Sequence, residues 1–304
     1  MRRAIEVVVH PIASYREFVP CSALQPHVYA LFSFVPGSTP APRDCPLLRD
    51  VAFHTAAFCS PQFADGHVSL VFELGRTCDA SGRWHSDSIG GRGTVLGPMS
   101  RVGRTEGSER PEMVGAYFRP AGAAPFVRVA IADLTDDAFA IDDIWGAAGA
   151  RLVSDLCELD EGSRIDRLES ALLARLVLGR QRTRTVDVAR LAASVLRRRG
   201  RVSVEAMALA AGVSRQHLAR EFRERLGISP KLYCRLARFH SGLVHAGRRA
   251  SVDWAQAAID LGYADQSHMI AEFRQFSALT PHALAHGEWF HPFIERAKGQ
   301  NAAR

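Results

Sequence analysis

Arginine and glutamine side chains are placed at helical spacing on two short segments in the C-terminal half of the chain. In the first segment, Ser214 to Arg223, Leu218 and Phe222 fall on one face of a helix. The opposite face carries Arg215, Gln216, Arg220 and Arg223, together with Ala219. Arginine pairs with the edge of guanine and glutamine with the edge of adenine, and a helix fits the major groove of DNA. The first segment is therefore predicted to be a helix that reads bases.

A second segment, about fifty residues further on, repeats the same order of residue types. On its predicted helix Met269, Phe273 and Phe276 face inward, and the outward positions are Gln266, Ser267, His268, Ala271 and Arg274. The outward face of this copy carries fewer charges. We therefore expect the first copy to dominate affinity, and the second to add register and weaker selectivity.

Both copies place a short apolar helix pattern before the base-reading segment. The pattern ends at Gly212 in the first copy and at Gly262 in the second, where a positive φ costs glycine little. Ser214 and Asp265 then stand where the N-cap of the next helix is expected. Each copy is therefore predicted to be a helix-turn-helix.

The stretches AGVSRQHLAREFRERLGISPKLYCRLARF and AIDLGYADQSHMIAEFRQFSALTPHAL resemble the DNA-binding domain of AraC-type transcriptional regulators. The resemblance covers roughly Val186 to Glu288. It implies two helix-turn-helix units joined by a linker helix, with both recognition helices on one side of the duplex in successive major-groove segments. The linker segment carries Tyr233, Arg238 and Leu243. Gly242 stands where the family usually has alanine, which we expect to loosen this helix slightly.

The resemblance also assigns residues to DNA. Its base-reading positions fall on Gln216, Ala219 and Arg220 in the first unit and on Gln266, Ser267, His268 and Ala271 in the second, to which the helical spacing adds Arg215. The predicted phosphate contacts are Ser214, Arg223, Lys231 and Arg274. The two alanines can touch a thymine methyl group but cannot hydrogen-bond. Double-stranded DNA and RNA polymerase are the expected partners, and activation and repression both stay open.

Positive charge is concentrated in the half of the chain that carries the two units. From Arg180 onward there are 21 Lys and Arg against 10 Asp and Glu, a net of +11, whereas the residues before it hold 17 against 22. The formal net charge of the whole chain, +6, conceals this asymmetry. A basic half is what the neutralisation of DNA phosphates requires, and it argues against a purely structural scaffold of helical hairpins.

The N-terminal half has the pattern of short β-strands separated by turns. Strands are predicted at 27–35, 51–59, 68–74, 94–96 and 114–119, and helices at 126–131, 141–159 and 164–178. The predicted fold class is α+β, with a β-rich sandwich or barrel, helical connectors and an all-α double helix-turn-helix domain. The predicted boundaries are 1–120 for the β-rich domain, 121–180 for the connector, 181–185 for a basic linker, 186–290 for the DNA-binding domain and 291–304 for a tail.

This half resembles the cupin-like module that precedes the DNA-binding domain in an uncharacterised group of AraC-type regulators. Residues 65–75, 96–100 and 117–123 carry the resemblance. Modules of this kind bind small effectors, form dimers, or do both. Eight aromatic residues on or beside the predicted strands fit either a core with a homodimer interface, which we favour, or an effector pocket: Phe32, Phe34, Phe53, Phe58, Phe72, Trp84, Tyr117 and Phe118.

A cupin-like metal enzyme fused to a DNA-binding domain is the alternative interpretation of the whole chain. Metal cupins carry two histidines at H-x-H spacing, whereas here His10, His27, His54, His67 and His85 are scattered. No nucleotide-binding or nucleophile motif occurs, so the chain is predicted to be no enzyme and to hold neither a cofactor nor a metal. The six cysteines form no C-x-x-C pair and are expected to be reduced. With no signal sequence and no long apolar run, the chain is expected to be cytoplasmic, with no membrane contact.

Overall fold

The computed structural model of this chain describes residues 4–10, 13–36, 64–78, 84–86, 91–102, 110–178, 186–247 and 252–286. The buried apolar residues form two clusters. One lies between the N-terminal sheet and the helices that follow it. The other holds the C-terminal helices together, and it includes Ala64 from the N-terminal half. The predicted fold class, β-rich with helical connectors and then all-α, is confirmed.

The N-terminal part is built on one antiparallel sheet of eight strands. Its strands are β1 (Ala4–His10), β2 (Ala13–Phe18), β3 (Val28–Pro36), β4 (Ser69–Cys78), β5 (Trp84–Ser86), β6 (Arg92–Leu96), β7 (Arg110–Phe118) and β8 (Ala138–Ala140). The order across the sheet is β1-β2-β3-β7-β4-β6-β8, and β5 pairs with β4. The neighbours β3 and β7, which are far apart in sequence, lie at its centre together with β4.

The alternating apolar residues of β4 and of the position just before it are buried, as the sequence pattern predicts. Val68, Leu70, Phe72 and Leu74 are all buried, because alternate residues of a strand point to the same face. Four of the eight aromatic residues singled out in the sequence, Phe32, Phe34, Phe72 and Phe118, are buried core residues. Phe53 and Phe58 lie outside the described residues.

Four helices and one 3₁₀ helix follow β7, and β8 lies between the 3₁₀ helix and the second of these helices. They are α1 (Ala124–Val127), the 3₁₀ helix (Ile131–Leu134), α2 (Ile141–Trp145), α3 (Ala147–Glu158) and α4 (Glu161–Leu178). A buried ion pair ties α4 to β7, because Arg164 Nη1 lies 2.5 Å from Glu112 Oε1 and both side chains are about nine-tenths buried. A second hydrogen bond ties α4 to β3, with Ser33 Oγ donating to Glu161 Oε1 at 2.6 Å.

The predicted elements of this half differ from the observed ones in three respects. The single helix predicted over 141–159 is broken at Gly146, whose backbone adopts φ 60° and ψ −148°. The helix predicted over 126–131 ends at Arg128, which is in the left-handed region with φ 57°. Strands β1, β2, β5 and β8 were not predicted, while the strand predicted over 51–59 lies outside the described residues.

Seven helices make up the described C-terminal part. They are α5 (Val188–Arg197), α6 (Val204–Ala210), α7 (Arg215–Leu226), α8 (Pro230–Gly247), α9 (Trp254–Leu261), α10 (Gln266–Ser277) and α11 (Pro281–His286). The long helix α8 stands between the two repeated pairs, α6–α7 and α9–α10. No helix within the described ranges is both long and apolar enough to cross a membrane.

Candidate nucleic-acid interface

The two repeated pairs have the same local construction, as the sequence repeat predicts. Residues 202–210 and 252–260 show the same order of buried and exposed positions. Gly212 and Gly262 lie in the left-handed region, with φ 66° and 83°. A left-handed glycine reverses the chain directly after a helix, so each pair turns within a few residues into its second helix.

The second helix of each pair begins at the predicted N-cap. Ser214 Oγ accepts a hydrogen bond from the backbone N–H of His217 at 3.1 Å. Asp265 Oδ1 accepts one from the backbone N–H of His268 at 2.7 Å. Each cap satisfies a backbone donor that has no partner within its own helix. The start of both recognition helices is therefore fixed by the local sequence.

On α7 the buried and exposed faces are those that the spacing predicts. Leu218, Phe222 and Leu226 are buried. The outward residues Arg215, Gln216, Arg220 and Arg223 are exposed, and Ala219 is half-buried. The helix thus presents a polar, mostly basic surface to solvent, of the width that a major groove accepts.

Both predicted base-reading arginines have partners within the chain. Arg215 Nη1 forms an exposed ion pair with Glu205 Oε1 of α6 at 2.9 Å. Arg220 Nη2 lies 3.0 Å from Nδ1 of His217, one turn earlier on α7. An exposed pair of this kind contributes little to stability, so either guanidinium can exchange its partner for a base or a phosphate.

On α10 the predicted outward residues are again exposed: Gln266, Ser267, His268, Ala271 and Arg274. His268 differs from the others, because both of its ring nitrogens face the protein. Its Nδ1 lies 3.5 Å from the backbone N–H donor of Ala264, and its Nε2 lies 3.5 Å from Glu272 Oε1. Base reading by this ring therefore requires that it turn away from Glu272.

Glu272 is a residue of the interface that the sequence reasoning missed. Its side chain is 4% exposed, and Oε1 accepts a hydrogen bond from Arg235 Nε of α8 at 2.6 Å. Arg238 Nη2, also on α8, lies 3.6 Å from the same oxygen. Arg235 donates a further bond to Gln275 Oε1 at 2.6 Å. These contacts fasten the linker helix to the second recognition helix.

The sequence did contain a signal for this residue, since Glu221 and Glu272 occupy equivalent places in the two copies. The two glutamates nevertheless act differently. Glu221 is paired within its own helix, with Arg225 Nη2 at 3.2 Å. Glu272 instead meets arginines of another helix. The sequence repeat therefore identifies the position of each glutamate but not the arginine with which it pairs.

Side-chain packing explains the glycine at position 242, which was predicted to loosen the linker helix. A Cβ atom at this position would lie 2.5 Å from Cζ of Phe273 and 3.0 Å from its Cε2. The missing side chain thus leaves room for the ring of Phe273, which is fully buried against α8. Lys231, a predicted phosphate contact, is exposed in the first turn of α8.

Comparisons with known proteins match two separate regions of the chain. Residues 207–286 match a family described as a helix-turn-helix domain. Residues 16–140 match a family described as a domain of unknown function. No curated protein matches the chain.

Nine chains of solved structures match this one. The 1.65 Å structure of ToxT from Vibrio cholerae shares 12% sequence identity, covers 74% of this chain and 91% of that chain, and has a TM-score of 0.40. Wild-type ToxT from Vibrio cholerae with a bound unsaturated fatty acid shares 12% identity, with coverages of 75% and 90% and a TM-score of 0.39. TM-scores below 0.5 do not establish a common fold.

The repeated, capped helix pairs and the family match identify residues 207–286 as a helix-turn-helix domain and support a role in DNA-binding transcriptional regulation. More particularly, the C-terminal region of the chain is a helix-turn-helix domain of the AraC type, preceded by a module of unknown function.

Proposed function

We propose that the protein binds one DNA duplex through both units at once, with α7 and α10 in successive major-groove segments. The pair of N-capped helices with exposed polar faces carries this proposal. The contacts of Glu272 with Arg235 and Arg238 support it, because they hold the second recognition helix on the linker helix at a fixed angle.

In the first unit, Gln216 and Arg220 are proposed to read bases, with Arg215 joining them when it leaves Glu205. Arg223 and Lys231, both exposed, are proposed to contact phosphates. Arginines supply most of this face, so the unit combines base contacts with charge neutralisation. It should therefore contribute more binding free energy than the second unit.

In the second unit, Gln266, Ser267 and Ala271 are proposed to meet base edges, and Arg274 a phosphate. His268 is assigned a base only after its ring leaves Glu272. Since Ala271 can offer only a methyl contact, discrimination at this segment should be weaker than at the first.

Selection of duplex fragments from a random pool by the full-length protein would test the function and give the site. On the selected fragment, Gln216→Ala and Arg220→Ala should each weaken binding by about 1–3 kcal/mol, and much less on random DNA. Arg190→Ala, which removes the same charge as Arg220→Ala from an exposed position on α5, is the matched control for that variant. It should weaken binding to both DNAs alike or not at all.

Equal losses on both DNAs for the α7 variants would reassign Gln216 and Arg220 to phosphate contact. Failure of the full-length protein to enrich any sequence would contradict the proposed function as a whole.

Control by a small-molecule effector is proposed for the N-terminal module. A cavity of about 10 Å³ lies between this module and α7, with Gly66, Arg119 and Arg225 among the residues that line it, and this is room for roughly one water molecule. Small-molecule sites usually enclose about 300–1,000 Å³, so an effector at this place would have to move the module away from α7. A thermal-shift screen of metabolites against the full-length protein would test this, since a ligand at a hundred times its Kd adds about 2.7 kcal/mol.

The proposal includes RNA polymerase as a partner and gives the protein no catalytic step. Co-purification with polymerase on the selected fragment would test the first part. Metal analysis of the purified protein would test the second, because stoichiometric zinc, iron or manganese would favour the alternative of a metal enzyme joined to a DNA-binding domain.

A further inference from the structure

Residues 64–67, which precede β4, lie on the C-terminal helices. Ala64 is fully buried within the C-terminal cluster. Its backbone N–H donates to the carbonyl oxygen of Phe276 on α10 at 2.9 Å, and its carbonyl oxygen lies 3.1 Å from His240 Nε2 on α8. One residue of the N-terminal half is thus hydrogen-bonded both to the linker helix α8 and to the second recognition helix α10.

The next residues hold this segment in place. Gly66 has a φ of +63°, and a Cβ on it would lie 3.0 Å from Leu236 Cδ1 of α8. The carboxylate of Asp65 accepts hydrogen bonds from the backbone N–H groups of His67, at 3.1 Å, and Met99, at 3.4 Å. The segment is therefore attached to the loop that follows β6 as well as to α8.

A second contact joins the N-terminal module to the first unit. Thr135, just after the 3₁₀ helix, donates from Oγ1 to the carbonyl oxygen of Gly227 at 3.0 Å. Gly227 is the left-handed C-cap of α7. A Cβ on Gly227 would lie 2.6 Å from Pro98 Cγ, so helix end and module are in close contact.

The two contacts are connected within the module. The backbone N–H of Asp136 donates to the carbonyl oxygen of Pro98 at 3.1 Å, and its Oδ1 accepts from the backbone N–H of Ser100 at 2.6 Å. Residues 98–100 therefore link the part of the module on α7 to the segment on α10. The outward faces of both helices stay exposed.

We propose that the N-terminal module is a brace, formed by residues 64–67 and 131–135, that sets the separation of the two recognition helices and thereby the spacing of the DNA segments that the protein accepts. This rests on the proposed function. The brace holds both helices at their C-terminal ends, away from the exposed faces, so it restricts their relative position without covering the DNA contacts. It adds a second connection to the one that α8 provides.

The test compares the selected DNA site with the same site carrying one extra base pair between its two segments. One base pair adds about 3.4 Å of rise and about 35° of rotation. Wild-type protein should lose on the order of a hundredfold in affinity, because one unit must release its segment. Ala64→Glu, which cannot keep a carboxylate in the C-terminal core, should lose about tenfold or less on the same insertion.

Two further variants make the comparison specific. Ala150→Glu places the same charge on an exposed position of α3 and should keep the wild-type spacing preference. His240→Leu removes the hydrogen bond to the Ala64 carbonyl and the ring contacts of His240 with His67 and Phe239. It should relax the preference in a protein that still folds, which covers the case that Ala64→Glu fails to fold.

An unchanged spacing preference in folded Ala64→Glu or in His240→Leu would overturn the brace. A wild-type protein indifferent to the inserted base pair would overturn it as well. A protein that selects no two-segment site would instead refute the proposed function, so the two failures are distinguishable.

Discussion

Replacing Gly227 with alanine probes the contact between α7 and the N-terminal module. Two left-handed glycines follow helices of the first unit, which provides a matched pair. A Cβ added to Gly227, whose φ is +74°, would lie against Thr135 Oγ1 and 2.6 Å from Pro98 Cγ. A Cβ added to Gly212, whose φ is +66°, would have no atom within 4 Å. Gly212→Ala therefore measures the backbone cost alone.

The contacts at Gly227 allow an estimate of how much more Gly227→Ala should destabilise the protein than Gly212→Ala. An alanine in the left-handed region costs about 1–2 kcal/mol, and both variants carry this cost. Gly227→Ala adds steric overlap worth about 1–3 kcal/mol. It also displaces Thr135, whose hydrogen bond to the Gly227 carbonyl contributes about 0.5–1.5 kcal/mol. Gly227→Ala should therefore destabilise the protein more than Gly212→Ala by at least about 1 kcal/mol.

Urea unfolding of both full-length variants measures the free energies, and amide hydrogen exchange of residues 131–137 shows whether the module moves. If the module swings away to relieve the overlap, exchange in this segment should rise in Gly227→Ala and not in Gly212→Ala. Equal destabilisation together with unchanged exchange would show that α7 and the module are not in the contact described.

The remaining predictions concern the core, the pH response and the DNA-binding half. Phe222→Ala and Phe273→Ala should each lower the free energy of unfolding by roughly 3–5 kcal/mol, since both rings are fully buried, and wild-type melting of either would contradict this packing. Removal from water lowers the pKa of His67 to about 3 and of His240 to about 4, and raises the pKa of Asp65 to about 7. The neutral histidines stabilise the fold fully above about pH 6.5 and less as the pH falls, whereas the carboxyl gives stability at low pH that is lost as the pH rises through about 7. Between pH 6.5 and 4.5 the two histidines outweigh the carboxyl, so these groups should lower the free energy of unfolding by roughly 1 kcal/mol per pH unit on acidification. That dependence should be nearly absent in His240→Gln, and urea titrations showing the same slope in both proteins would refute it. A fragment from residue 186 to the C-terminus should bind DNA with an affinity that falls steeply with salt, as measured by anisotropy. Binding by the full-length protein alone at every salt concentration would show that the N-terminal half is required.

The sequence alone was sufficient to predict the two helix-turn-helix units, because the residues that indicate them lie close together in the chain. Leu218 and Phe222 are one helical turn apart, so their burial on a common face follows from the period of the helix. Ser214 and Asp265 bond to a backbone N–H three residues later, which depends on nothing outside the segment. The alternation from Val68 to Leu74 likewise identified a strand with one buried face.

The missed strands lacked such a signal. β1 contains the continuous apolar run Val7, Val8 and Val9, which has neither a strand nor a helix period, and β8 is only three residues long. Their pairing depends on distant partners. The periodicity of a sequence predicts that one face of a strand or helix is buried, but it does not predict which element packs against that face.

Contacts between distant parts of the chain were decided by the tertiary structure alone. Ala64 and His240 are separated by 176 positions, yet Ala64 lies in the core of the C-terminal helices and is hydrogen-bonded to His240. Glu272 lies on a helix whose outward face was predicted correctly. Its hydrogen bond with Arg235 exists only because α8 packs against that helix. His268 was assigned to DNA by its place on the helix, while the fold directs both of its nitrogens toward the protein. The local period fixes the direction of a side chain, but its neighbour is set by the global arrangement of helices and sheet.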